Sequence, residues 1–305
     1  MARSFILHSK SGPMPANDAQ RTSSAYRLAA HDTEFIESDS MRGVRFLLEF
    51  SKAEERLNAW GVRSTVVVFG SSRVLPGGSA DPCDSSATLN PGAQPCPGPR
   101  AARWYEEARR LGRIVSERGG AMHPSEQGLR DNVVATGGGP GIMEAANRGA
   151  FEAGAPSIGF NIELMHAQQP NSYTTPDLTF QFRYFGMRKM HLVMRAAALV
   201  VFPGGFGTLD ELFEILTLTQ THKTPRIPIV CFDRAYWTRI VNFDALAEAG
   251  MISRSDLRLI EFAEDAEQAW SALIAQGLKV LVGGAPASAA KPPVTGPVSP
   301  AETGS

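Results

Sequence analysis

Cysteine is scarce. Three residues, Cys83, Cys96 and Cys231, are scattered through 305 positions. None forms a CxxC pair, which argues against a zinc site or a disulfide framework and points to reduced thiols. Basic excess is missing as well: 30 Lys and Arg against 31 Asp and Glu leave a formal net charge of −1. Broad binding to nucleic acid or to a membrane surface has no electrostatic support. No apolar run approaches the length of a membrane span, and Phe5-Ile6-Leu7 is too short for a signal-peptide core. The expectation is a soluble cytoplasmic protein. What the chain does have is 43% hydrophobic residues and 29 glycines, enough for one large α/β domain with a substantial core.

The pattern centres on residues 199–214, LVVFPGGFGTLDELFE. Leu199, Val200, Val201 and Phe202 read as a strand buried on both faces. The chain then turns through Pro203-Gly204-Gly205-Phe206-Gly207 and is expected to restart as a helix at Thr208. A glycine-rich turn lets backbone approach a ligand, and the free N–H groups of a helix start suit a phosphate. Glu211 and Glu214, three apart, put carboxylates on one face. Thr208-Leu209-Asp210-Glu211 also fits a capping box, in which Glu211 only folds back onto the cap.

In chain order, residues 1–40 read as a mobile lead-in. A helix follows over 41–60, with Val44, Leu47, Leu48, Leu57 and Trp60 on one stripe, packed on the main domain or on a second subunit. Thr65–Phe69 is a strand running into Gly70-Ser71-Ser72. Residues 74–100, rich in Pro, Gly and Ser, read as a flexible insertion. After a helix over 102–118, the strand Asn132–Thr136 enters Gly137-Gly138-Gly139-Pro140-Gly141. The helix 142–153 presents Ile142, Ala145, Ala146 and Gly149 for close packing. Further strands are predicted at 157–162, 178–182, 227–232 and 259–262. Helices are predicted at 186–197, 208–221, 236–249 and 264–275, and 281–305 reads as a disordered tail. Met187, Met190 and Met194 are expected to fill core, and His191 to be structural. Strands alternating with helices predict a Rossmann-like, doubly wound, mainly parallel sheet with helices on both faces, one domain over 41–280.

The turn at 137–141 is not the G-x-G-x-x-G dinucleotide fingerprint, and no Gly-Lys-Ser/Thr makes a P-loop. Glycine-rich turns at 137–141 and 204–207, with Gly70-Ser71-Ser72, together predict a ligand crevice. No His/Cys/carboxylate cluster calls for a metal, and no cofactor is expected.

Arg188-Lys189, PGGFGTLDE at 203–211, GGGPGIM at 137–143 and GSS at 70–72 closely resemble the LOG (Lonely Guy) family of phosphoribohydrolases. These release the base from nucleoside 5′-monophosphates, cytokinin precursors or AMP, and many were once labelled lysine decarboxylases. The resemblance covers about 64–250, with Asp210 where Glu is common and Ile142 where Leu is common, and the chain looks like the longer bacterial branch. It implies that Arg188 and Glu211 are catalytic. Gly70, Ser71, Ser72, Gly137, Gly138, Gly139, Gly141, Lys189, Gly204, Gly205, Gly207 and Thr208 would bind substrate. It also implies a nucleoside monophosphate as substrate, and the helices 41–60 and 208–221 suggest a homodimer. The rival expectation is a non-catalytic nucleotide or molybdenum-cofactor carrier on the same scaffold.

Overall fold

A computed structural model describes residues 16–76, 99–164 and 169–280. The start of the expected lead-in, most of the expected insertion with Cys83 and Cys96, and the expected tail lie outside the described residues. The chain divides into two compact units, with the boundary after Ser51. In the first, short helices α1 (Asp18–Thr22) and α2 (Thr33–Glu37) and 3₁₀ turns lead into α3 (Arg42–Ala59), which crosses the boundary. Arg45 is buried, and its guanidinium donates to the carbonyls of Ile36 and Ser38, both at 2.6 Å. The expected apolar stripe of α3 is divided: Val44, Leu47 and Leu48 are exposed, whereas Leu57 is buried.

The second unit is a seven-stranded sheet in the order β4-β3-β2-β1-β5-β6-β7, every neighbouring pair parallel. The strands are β1 (Thr65–Phe69), β2 (Val133–Thr136), β3 (Ser157–Ile162), β4 (Thr179–Phe182), β5 (Ala196–Val201), β6 (Ile229–Phe232) and β7 (Glu261–Ala263). The helices between them are α4 (Pro99–Gly119), α5 (Ile142–Glu152), α6 (Phe185–Met194), α7 (Phe206–Gln220), α8 (Arg234–Ile240), α9 (Phe243–Glu248) and α10 (Ala266–Ala275). Side chains alternate across each strand, so both faces must be covered. Val66, Val68, Val134 and Val200 enter one core, beneath α4, α5 and α10. Val67, Phe69, Val133, Leu199, Val201 and the free thiol of Cys231 enter the other, with Leu192 of α6, Leu212 of α7 and Trp237 of α8. The chain winds outward from β1 to β4, then returns to the other side of β1 as β5. The α/β doubly wound expectation holds, and the order reverses between β1 and β5, where such sheets open a crevice.

Several predicted boundaries move. β5 begins at Ala196, inside the helix predicted over 186–197, because Ala196–Ala198 pair with β1. Alanine's helix preference is a weak prior that sheet pairing overrides. The helix predicted over 236–249 is two, since the Asn242 side chain accepts from the Ala245 amide and starts α9. Met190 and Met194 are exposed and do not fill core; Met187 packs against it.

The crossing of α4 over α5 rests on glycines. A Cβ at Gly149 would lie 1.9 Å from the Arg109 carbonyl oxygen, and one at Gly112 would lie 2.1 Å from that of Ala146. Both obstacles are backbone. Gly149→Ala should therefore cost about 1–3 kcal/mol through overpacking. Gly43→Ala, with nothing within 4 Å of its Cβ in α3, should gain about 0.5–1 kcal/mol from helix propensity alone. Denaturant titration of the two variants checks the contrast; a Gly149→Ala protein as stable as the parent would refute the packing account.

Candidate active site

Three strand-to-helix turns meet at the carboxyl edge. The Ser71 amide donates to the Pro203 carbonyl at 3.0 Å, and the Ser71 carbonyl accepts from the Ile142 amide at 3.1 Å. One residue thus ties the turn after β1 to those after β5 and β2. Space is minimal. A Cβ on Gly141, which has φ +74°, would sit 2.4 Å from the Ser71 oxygen. One on Gly204 would sit 2.1 Å from the Thr208 hydroxyl. A Cβ on Gly70 would run into Ile142, and one on Gly137 would come 2.8 Å from the Met143 sulfur.

The turn at 137–141 is fixed by a buried polar network. The Gly138 amide donates to Thr136 Oγ1, and its carbonyl accepts from the Asn171 amide. Asn171 Nδ2 donates to the Gly139 carbonyl and to Asn147 Oδ1, which also accepts from the Thr136 hydroxyl at 2.7 Å. Asn147 Nδ2 donates to Ser157 Oγ. Asn147 and Asn171 have no motif around them, and their partners lie on other strands and loops. Sequence reasoning missed both.

The second glycine turn is different. Gly205 and Gly207 have open space where a Cβ would stand, and Phe206 is 92% exposed. α7 begins at Phe206 with Gly205 as its cap and no side-chain capping bond, two residues earlier than predicted. Glu211 is therefore the sixth residue of the helix, too deep for the capping box that the sequence also allowed. It is wholly buried. Arg188 of α6 donates to Glu211 Oε1 at 3.3 Å, and its guanidinium also lies 4.9 Å from the Phe185 ring centroid. Among the described residues, Arg188 Nε and Glu211 Oε2 have no hydrogen-bond partner. Burial pushes the Glu211 carboxyl up to about 7 against the pull of Arg188 and Lys189. Such a group can take or give a proton near neutrality, beside an open helix N-terminus suited to an anion.

Lys189 faces elsewhere. Its ammonium is 2.8 Å from Asp210 and 3.0 Å from Glu214. Burial works to lower its pKa, but the two carboxylates outweigh this and raise it. With Phe206, Leu209 and Phe213 it lines a shallow groove of about 490 Å³. His191 is buried against Phe160 and Phe182, its Nδ1 3.4 Å from Glu54 Oε1. Among the described residues, no group of three His, Cys, Asp or Glu could hold a metal ion.

Residues 143–273 match the family model described as "Possible lysine decarboxylase". A probable cytokinin riboside 5′-monophosphate phosphoribohydrolase, LOGL3 of Oryza sativa subsp. japonica, is 27% identical over 45% of this chain and 65% of its own length. LOG7 of Arabidopsis thaliana, a cytokinin riboside 5′-monophosphate phosphoribohydrolase, is 25% identical over 54% of this chain and 71% of its own. The match to the first relative thus spans just under two thirds of it. Among solved structures, the structural-genomics target TM1055 aligns over 70% of this chain and 99% of its own, at 21% identity and a TM-score of 0.43. A molybdenum cofactor binding protein from Rippkaea orientalis aligns over 70% and 97%, at 17% identity and a TM-score of 0.41. The motifs at 70–72, 137–143, 188–189 and 203–211 thus stand in a chain that is similar to the LOG phosphoribohydrolases over about half of its length, with the family-model match falling within residues 143–273.

Proposed function

We propose that the protein hydrolyses the N-glycosidic bond of nucleoside 5′-monophosphates, AMP or a cytokinin riboside monophosphate, giving free base and ribose 5-phosphate. The observation that carries this reading is the buried Arg188–Glu211 pair behind an open, glycine-capped helix start. A carrier needs the glycines; it has no use for an acid buried at the cost of its ionisation. The amides around Gly205, Phe206 and Gly207 take the 5′-phosphate, with Gly70–Ser72 and Gly137–Gly141 walling the crevice. Arg188 grips ribose hydroxyls and holds Glu211.

As the C1′–N bond breaks, its electron pair leaves with the base and C1′ becomes oxocarbenium-like. The Glu211 carboxylate stabilises that charge and takes a proton from the water whose oxygen adds to C1′. The departing base gains one proton, so the balance is one water consumed. No cofactor enters, and the setting we propose is cytoplasmic, without nucleic acid or membrane. The exposed apolar residues of α3, together with Phe185, Met190, Met194 and Phe206, favour a homodimer in which a neighbour helps close the site.

Glu211→Gln should lower kcat for AMP at least about a hundredfold with little change in Tm, and Arg188→Ala should do the same without the two losses adding. In the parent, kcat/KM should rise with pH and level off above about 7, as the carboxyl loses its proton. Stability runs the other way. The folded-state value is raised from 4.5 to about 7, so Glu211's contribution is full below about 4.5 and is lost as pH rises through about 7. Retained turnover in Glu211→Gln would refute the assignment.

If the phosphate is held as proposed, adenosine should be a poor substrate beside AMP. Gly205→Val, at a position where a Cβ would meet nothing within 4 Å, should raise KM for AMP without unfolding the protein. Equal turnover of AMP and adenosine would sink the phosphate site. Light scattering should show a dimer, and a fully active monomer would contradict the shared site.

A further inference from the structure

A fourth turn reaches the same edge. After β6 the chain passes through Asp233, a buried residue held at φ +68°, into α8. Asp233 caps that helix by accepting from the Tyr236 amide at 3.0 Å. Its carboxylate also accepts from Trp104 Nε1 at 2.9 Å and from Arg100 at 3.2 Å, both on α4. Trp104 meets the Tyr236 ring edge-on, with centroids 5.8 Å apart, and Trp237 of the same helix also meets it edge-on, at 5.4 Å. The Tyr236 ring thus packs between α4 and its own helix neighbour, and its hydroxyl donates to the Gly204 carbonyl at 2.7 Å.

That bond completes a pattern. The Pro203 carbonyl accepts from the Ser71 amide, and the Gly205 carbonyl from the amides of Thr208 and Leu209. The Gly204 carbonyl lies ahead of the helical ladder, so no turn of α7 can satisfy it. With Tyr236 in place, three successive carbonyls are tied into the protein. Among the described residues the amides of Gly205, Phe206 and Gly207 are left without an acceptor. In a planar trans peptide the N–H points opposite to the C=O. Holding the Gly204 oxygen towards α8 therefore turns the Gly205 N–H the other way.

We propose that Tyr236 is a positioning residue for the phosphate site, its hydroxyl setting the Gly204–Gly205 peptide plane so that the Gly205 N–H faces the anion. Glycine at 204 makes this necessary. The steric limit there forbids a Cβ, and a glycine peptide is the easiest to rotate. An outside donor supplies the orientation that a larger residue would impose through its own torsional limits. The role rests on the reading of residues 203–208 as a phosphate site.

The test compares Tyr236→Phe with Trp104→Phe. Ribose 5-phosphate binding is measured by calorimetry, and the Gly205 amide is followed by NMR in ligand-free protein. Tyr236→Phe keeps the ring and its packing. It should shift the Gly205 amide resonance, weaken ribose 5-phosphate binding about five- to tenfold, and raise KM for AMP by a similar factor with kcat within about twofold. Trp104→Phe keeps the hydroxyl bond, and should lower Tm while leaving ribose 5-phosphate affinity within about twofold. An unmoved Gly205 amide with unchanged affinity in Tyr236→Phe would overturn the role, as would a parent protein that does not bind ribose 5-phosphate. A parent that binds ribose 5-phosphate but cleaves no monophosphate would refute the hydrolase reading alone, and the Tyr236 effect on binding would still support its role.

Discussion

The carboxyl edge of the sheet depends on the peptide groups of Ser71. Its amide reaches the turn after β5 and its carbonyl reaches the start of α5, so three separate strand-to-helix connections are held at hydrogen-bond range. Backbone can approach backbone this closely only where no Cβ intervenes. At this edge Gly141 meets that limit against the Ser71 carbonyl, and a Cβ on Gly204 would run into the Thr208 side chain and come within 3.0 Å of the Ser71 amide. Gly205 and Gly207 meet no such obstacle, and their open surroundings leave the first turn of α7 accessible. Glycine thus serves two ends in one crevice: contact with protein at some positions and clearance at others.

Behind this edge the protein buries a carboxylate at a cost. Taking Glu211 out of water disfavours its charged form, and one guanidinium hydrogen bond at 3.3 Å offsets only part of that penalty. A well-packed apolar residue would serve the core of α7 better. Glu211 Oε2 and Arg188 Nε, unpartnered among the described residues, are available to a ligand, and groups with this kind of perturbed ionisation concentrate at functional sites. Lys189, next in sequence to Arg188, shows the contrast. Two carboxylates lie against its ammonium, and it lines a groove with Phe206, Leu209 and Phe213.

Much of this was legible in the sequence because it is periodic or local. Val66–Val68 and Leu199–Val201 announce strands buried on both faces, and the glycine clusters mark where those strands end. The pairing of Arg188 with Glu211 came from the family resemblance; no spacing rule joins α6 to α7. Other features resist a one-dimensional reading. Ala196–Ala198 have the propensity of a helix and the partners of a strand. The start of α7 could not be fixed without the turn that precedes it, so a buried acid resembled a capping residue. Asn147, Asn171 and Tyr236 act through partners brought close only by the fold. The exposed Met190 and Met194 have a side-chain chemistry that suits core and surface contact equally.

The reversal of strand order between β1 and β5 has a consequence for how the molecule comes to exist. Val67 pairs with Leu199 and Val68 with Val200, so the junction that opens the crevice closes a very long loop. Contacts of that kind carry a large loop-closure cost and form late. During synthesis β1 emerges long before its second neighbour, with one hydrogen-bonding edge bare until β5 follows. The half-sheet β1–β4 can assemble from shorter-range pairings, yet it holds only part of the crevice. The crevice is complete only once β5 has joined β1, and a chain stalled before that step would combine an unfinished site with an adhesive edge.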